Sequence, residues 1–280
     1  MKYLKRYAPF IVLPGVFFGC AIWGGTSYTT QDIKWGSSQF EVSVTRYIPS
    51  NKTKKNLIIL PPTGGVTALD KSYARSFSRL GYNVYLMTQW TGWDRQSSDL
   101  EIHQKLYEEG QRAITIVLDQ IPDGFIGLLG TSVGALHAEV AASLQARLDA
   151  VFTILGGASI TEIIVTSDHK DMVNLKKERR ARFKFKNDQE YLDALDKVFT
   201  LEPLRLRKPV EKALGMAMGN DDKTVPTKTQ KQLEAFWQPQ EKFSFDSGHF
   251  LGIIKTWTFS ENKIVDFFER QAELKIPETK

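Results

Sequence analysis

Cysteine is nearly absent: Cys20 is the single one in 280 residues. That excludes an intrachain disulfide framework and any cysteine-rich zinc site. Histidine is scarce too, with four, so a proton-shuttling imidazole must be His103, His137, His169 or His249. Repeats, low-complexity tracts and clusters with metal-ligand spacing are missing, and 61-PPTGG-65 lacks the lysine of a phosphate loop. No metal and no cofactor is therefore expected. The formal charge of +5 is local. Lys2, Lys5 and Arg6 supply three of it and 176-KKERRARFKFK-186 a further six, net. The remainder is acidic, which argues against a nucleic-acid partner bound over the domain. With 42% hydrophobic and 25% charged residues, the chain is neither disordered nor wholly membrane-embedded.

What is present starts with a segment apart from the rest. MKYLKRYAPFIVLPGVFFGCAIWGG has a basic start, an apolar stretch and small residues after it, and nothing from Tyr7 to Gln31 is charged. This is the layout of an export signal. Phe17-Phe18-Gly19-Cys20 resembles the lipobox of bacterial lipoproteins, with phenylalanine in place of the usual leucine. The resemblance implies lipidation of Cys20 and a place in the bacterial cell envelope. An uncleaved single-pass anchor or simple secretion are the alternatives. Residues 1–19 are read as signal peptide or anchor, 20–37 as a tether and 38–280 as the folded domain.

Within that domain, 38-SQFEVSVTRYI-48 alternates with period two and predicts an early strand pair. The buried-strand runs 56-NLIIL-60, 82-YNVYLM-87, 125-FIGLLG-130, 149-DAVFTIL-155 and a strand ending at Met218 then alternate with helical stretches. Asp99 is the N-cap candidate of the second helix, and the last helix is placed at about 251–274. Short joins between like elements imply parallel strands covered by helices on both faces, an α/β doubly wound sheet. The interruption from about 157 to 206 is polar and reads as a helical cap. Its basic run reads as a solvated helix face, or else as a patch for anionic lipid.

Residues 130-GTSVG-134 stand between a strand and an alanine-rich helix. This G-x-S-x-G setting suits a nucleophile elbow, with Ser132 as nucleophile. A serine hydroxyl needs a histidine to take its proton, and the histidine needs an acid. His103 and His137 fall inside helices and His169 in the cap, whereas His249 follows the last strand in 243-FSFDSGHF-250. The acid is sought at a strand end between serine and histidine, where 219-GNDD-222 offers Asp221 and Asp222; Asp246 is too close to His249 in sequence. The amide of Val133 would bind a developing oxyanion.

In this order, serine then acid then histidine, the motifs resemble the α/β-hydrolase family over about residues 38–273. The resemblance implies an eight-stranded, mostly parallel sheet with a cap. It selects Asp222 from a G-x-x-D-x-x-V-P turn spanning 219–226 and matches His249 to a G-H-F setting. It also puts the second oxyanion donor in PPTGG, at Thr63 or else Gly64, where relatives carry H-G-x-G-G. The implied activity is serine esterase chemistry on a small acyl substrate. A serine peptidase or amidase, or a non-catalytic membrane-anchored binding protein, are the other readings. Trp90 and Trp93 are candidates for lining an acyl pocket or for packing their loop.

Overall fold

The computed structural model describes residues 25–37, 39–90 and 98–276; Cys20, with the rest of the apolar segment, and Trp93 lie outside the described residues. Eight strands form one sheet in the order β1-β2-β4-β3-β5-β6-β7-β8. They are β1 (Tyr28–Ser37), β2 (Phe40–Pro49), β3 (Lys55–Leu60), β4 (Asn83–Gln89), β5 (Phe125–Thr131), β6 (Ala150–Ile154), β7 (Ala213–Gly219) and β8 (Glu241–Phe245). β1–β2 and β2–β4 pair antiparallel, and every other pair is parallel.

Successive side chains of a strand face opposite ways, and both faces of this sheet are buried. Ile58 and Leu60 pack with residues of α2 (Ile102–Gln120), α3 (Val133–Leu144) and α7 (Thr227–Trp237). Leu57 and Ile59 pack with α1 (Ala68–Arg79) and α8 (His249–Lys275). Each such fully buried aliphatic contributes about 2 kcal/mol of hydrophobic stabilisation. Sequence sets the helix starts as well. Thr67 caps α1 by accepting from the amide of Asp70, whose carboxylate accepts from the Thr67 amide at 2.7 Å.

Between β6 and β7 lie three helices, α4 (Ile160–Thr166), α5 (Lys170–Phe183) and α6 (Asp188–Val198). Tyr191, Leu195 and Phe199 from this segment join Leu136 and Val140 of α3 in a third apolar cluster. Part of the basic run is paired within the protein: Lys176 and Arg180 pair with Asp188 at 3.0 and 3.4 Å, and Arg182 pairs with Asp99 at 2.7 Å, whereas Lys177, Lys184 and Lys186 stay exposed. Arg179 is fully buried and donates to the Tyr191 hydroxyl and the Asp99 carbonyl. Such exposed pairs add little stability, but they cancel charge.

Three sequence expectations need correcting. Residues 28–37, placed in the tether, are strand β1, paired along its whole length with β2; the early strand pair is therefore β1 with β2, not two strands within 38–48. Asp99 does not cap α2, which begins after Glu101, because its carboxylate is taken by Arg182. The last helix begins at His249 rather than near 251.

Candidate functional site

Strands β5, β7 and β8 run parallel, so their carboxyl ends deliver Ser132, Asp222 and His249 to one edge of the sheet. Ser132 sits between β5 and α3 with φ 53° and ψ −118°, a left-handed backbone unusual for a residue with a side chain. Its amide donates to the Ile154 carbonyl at 2.8 Å, and its carbonyl accepts from Leu136 at 3.0 Å. The turn is held tight by its glycines. A Cβ on Gly130 would collide with the Gly134 carbonyl, and a Cβ on Gly134 with the Leu60 and Pro61 carbonyl oxygens at the end of β3.

Ser132 Oγ lies 2.8 Å from His249 Nε2, and His249 Nδ1 lies 2.7 Å from Asp222 Oδ2. His249 is the first residue of α8, and its side chain keeps 15% exposure, whereas that of Asp222 has none. The buried Asp222 carboxylate is held on both oxygens. Oδ1 accepts from the amides of Thr224 and Val225 at 2.9 and 3.0 Å, and Oδ2 accepts from Gln230 Nε2 at 3.0 Å as well as facing the imidazole. These donors fix the position of both carboxylate oxygens. Proton acceptance from a hydroxyl by an imidazole held in one tautomer is what this arrangement can do chemically.

The other sequence candidates fall elsewhere. Asp221 is exposed, and Asp246 accepts from Asn220 at 2.6 Å. His103 is half-buried and His137 buried, and desolvation of the rings pushes both imidazoles down to about 3, neutral at physiological pH. His137 stacks on Tyr107 with ring centroids 4.1 Å apart, and Trp90 meets it edge-on at 4.7 Å, so Trp90 packs the core. His169 lies in the cap, 3.9 Å from Asp171. Val133 opens α3, where the first amides lack helical acceptors. Thr63 and Gly64 are exposed in the turn closed by Gly65 N donating to the Pro62 carbonyl at 3.2 Å, directly after the strand end that abuts Gly134.

Two supporting residues were not legible in the sequence. Gln230 is fully buried on α7; its Oε1 accepts from the Gly219 amide at 2.9 Å while its Nε2 holds Asp222 and the Val225 carbonyl. A helical glutamine carries no sequence signal for this. Gln230→Leu removes a hydrogen bond to a charged group, an interaction of about 2 kcal/mol. We expect kcat/KM of any reaction run by this triad to fall roughly tenfold or more, with a lower Tm because the Gly219 amide loses its acceptor. Leu155, with φ 52°, is the second. Its side chain fills the space left by the missing Cβ of Gly252 on α8 and lies in van der Waals reach of Gly219, so it packs the acid turn against α8.

Beneath the elbow, Glu139 of α3 is fully buried beside Gly156. Burial pushes its carboxyl well above the usual range, and the Gly157 amide offsets this only in part. The folded state therefore holds a proton that the unfolded chain releases above about 4.5, and stability falls as pH rises from there. Glu139→Gln should flatten that slope: Tm at pH 8 rises relative to Tm at pH 5, and an unchanged slope contradicts the assignment.

No family profile and no curated sequence matches the chain. Solved structures do. An acylaminoacyl peptidase of Pyrococcus horikoshii matches with TM-score 0.66 at 13% identity, over 91% of this chain and 43% of that one. The chain thus spans less than half the length of that peptidase. An esterase of Pyrococcus furiosus matches with TM-score 0.57 at 15% identity, covering 87% and 93% of the two chains. Est1E from Butyrivibrio proteoclasticus matches with TM-score 0.59 at 13% identity, covering 86% and 98%. With the eight-stranded, mostly parallel sheet and its helices on both faces, these likenesses establish that the chain has the α/β-hydrolase fold.

Proposed function

We propose that this protein is a serine hydrolase that cleaves a carboxylic ester or related acyl substrate through an acyl-enzyme. Ser132 Oγ attacks the substrate carbonyl carbon while His249 Nε2 takes the hydroxyl proton. The tetrahedral oxyanion is held by the amides of Val133 and of Thr63, with Gly64 as the alternative to Thr63. Collapse breaks the bond to the leaving oxygen, to which His249 returns the proton. Water, deprotonated by the same imidazole, then releases the acid and restores Ser132. Asp222 holds the imidazole tautomer and faces the cation that forms.

The observation that carries this reading is the continuous contact from Ser132 Oγ through His249 to a buried, four-way-held Asp222. A fluorophosphonate probe should add one phosphonyl group to the peptide containing Ser132, and an unlabelled protein rejects the proposal. Cleavage of an amide is the second reading, supported by the likeness to an acylaminoacyl peptidase. Comparing p-nitrophenyl acetate and butyrate with aminoacyl p-nitroanilides separates the two. The segment around Cys20 is proposed to hold the domain at a membrane of the bacterial envelope, through a lipidated cysteine or an uncleaved span.

A further inference from the structure

The uncharged stretch from Tyr7 joins the described domain at Gly25. There the chain is fastened: Thr26 N donates to the Arg79 carbonyl at 2.9 Å, and a Cβ on Gly25 would press on Arg79. Arg79 closes α1, and Tyr28 pairs with Pro49 of β2 beyond the level where Tyr47 meets Val84 near the start of β4. The segment therefore leaves from the edge where the parallel strands begin. Ser132, Asp222 and His249 follow the opposite ends; seven residues of β5 put about 23 Å between the two edges.

The starting edge has the chemistry of a lipid contact. Leu144 at the end of α3, Val210 before β7 and Leu274 at the end of α8 are 45%, 68% and 78% exposed. At this edge Lys275, next to Leu274, pairs with the Asp149 carboxylate at 3.1 Å, and the Asp149 carbonyl accepts from the Ala213 amide. Lys52, Lys54 and Arg79 stand exposed at the same edge with no ion-pair partner among the described residues, as do the acids Asp119 and Glu273, while Asp123, Asp149 and Glu211 are paired with Arg147, Lys275 and Arg207. Exposed apolar side chains beside three free cations, which outnumber the two free acids, suit the headgroup region of a bilayer.

We propose that this edge rests on the anionic membrane that holds the N-terminal segment, so that the Ser132 site faces away from that membrane and receives substrate from the water phase. The orientation rests on the membrane attachment proposed for the N-terminal segment and not on the acyl-transfer reading; full-chain protein that fails to sediment with the vesicles refutes the attachment, whereas bound protein with the wrong protection pattern refutes the orientation. The alternative is docking through Phe250 and Leu251, which are 68% and 57% exposed beside His249.

Hydrogen exchange on the full chain, in phosphatidylcholine vesicles containing a third phosphatidylglycerol and in detergent micelles, distinguishes them. The proposal expects amides at 50–55 and 207–212 to exchange at least twofold more slowly on vesicles, with 220–225 and 247–252 unchanged. Slowing confined to 220–225 and 247–252, equal slowing at both edges, or no difference overturns it. A Val210→Glu, Leu274→Glu variant should lose the slowing at 207–212; retention of it also counts against the proposal.

Discussion

Ser132→Ala should lower kcat/KM for p-nitrophenyl acetate by about 10⁵, a loss of about 7 kcal/mol of transition-state stabilisation. Without Oγ there is no acyl-enzyme, and what remains is water attack assisted by the oxyanion amides. The fold should survive, since among the described residues the hydroxyl's hydrogen bond is to His249 and the backbone bonds at this position run through its amide and carbonyl. Ser132→Gly should be equally inactive, yet more stable than Ser132→Ala by about 1 kcal/mol. The left-handed φ of 53° strains any residue with a Cβ, and glycine relieves it. Activity retained in both variants removes Ser132 as nucleophile; equal stability removes the claim of strain.

The strand–helix alternation was legible because each buried strand is a short apolar run and each helix has its own period. Ser132 and His249 were legible because the glycines around them are local: Gly130 and Gly134 are required by contacts within the turn and the adjoining strand end. The edge strand β1 was not. Its outer edge and much of its surface meet water, so Tyr28–Ser37 is mostly polar and looks like a linker, with Trp35 and Tyr28 its main packing residues. Gln230 and Leu155 were hidden for a different reason. Each acts across the sheet edge on residues that only the folded chain brings near, and neither residue type advertises that contact. The choice between Asp221 and Asp222 lay between these extremes. Spacing left both open, family resemblance selected Asp222, and the structure buries it against His249 while exposing Asp221.

Asp222→Asn should reduce kcat/KM by about 10⁴ with little change in packing volume. The direction of the amide is dictated by its neighbours. Thr224 and Val225 both donate to the Oδ1 position, so the oxygen of asparagine stays there and its NH₂ takes the place of Oδ2. That NH₂ then meets two donors, Gln230 Nε2 at 3.0 Å and the Nδ1–H of His249 at 2.7 Å. The imidazole can answer only by moving its proton to Nε2, which leaves it unable to accept from Ser132. Rotating Gln230 does not help, since its Oε1 is committed to the Gly219 amide. Adding Gln230→Glu supplies an acceptor for the new NH₂ but turns an oxygen onto the Val225 carbonyl, which Nε2 now reaches as a donor at 2.7 Å, so it should recover neither stability nor rate. The single variant decides the role: a kcat/KM within tenfold of the wild type in Asp222→Asn would remove Asp222 from the triad, and a loss near 10⁴ with the fold kept shows that it acts by holding the proton on Nδ1.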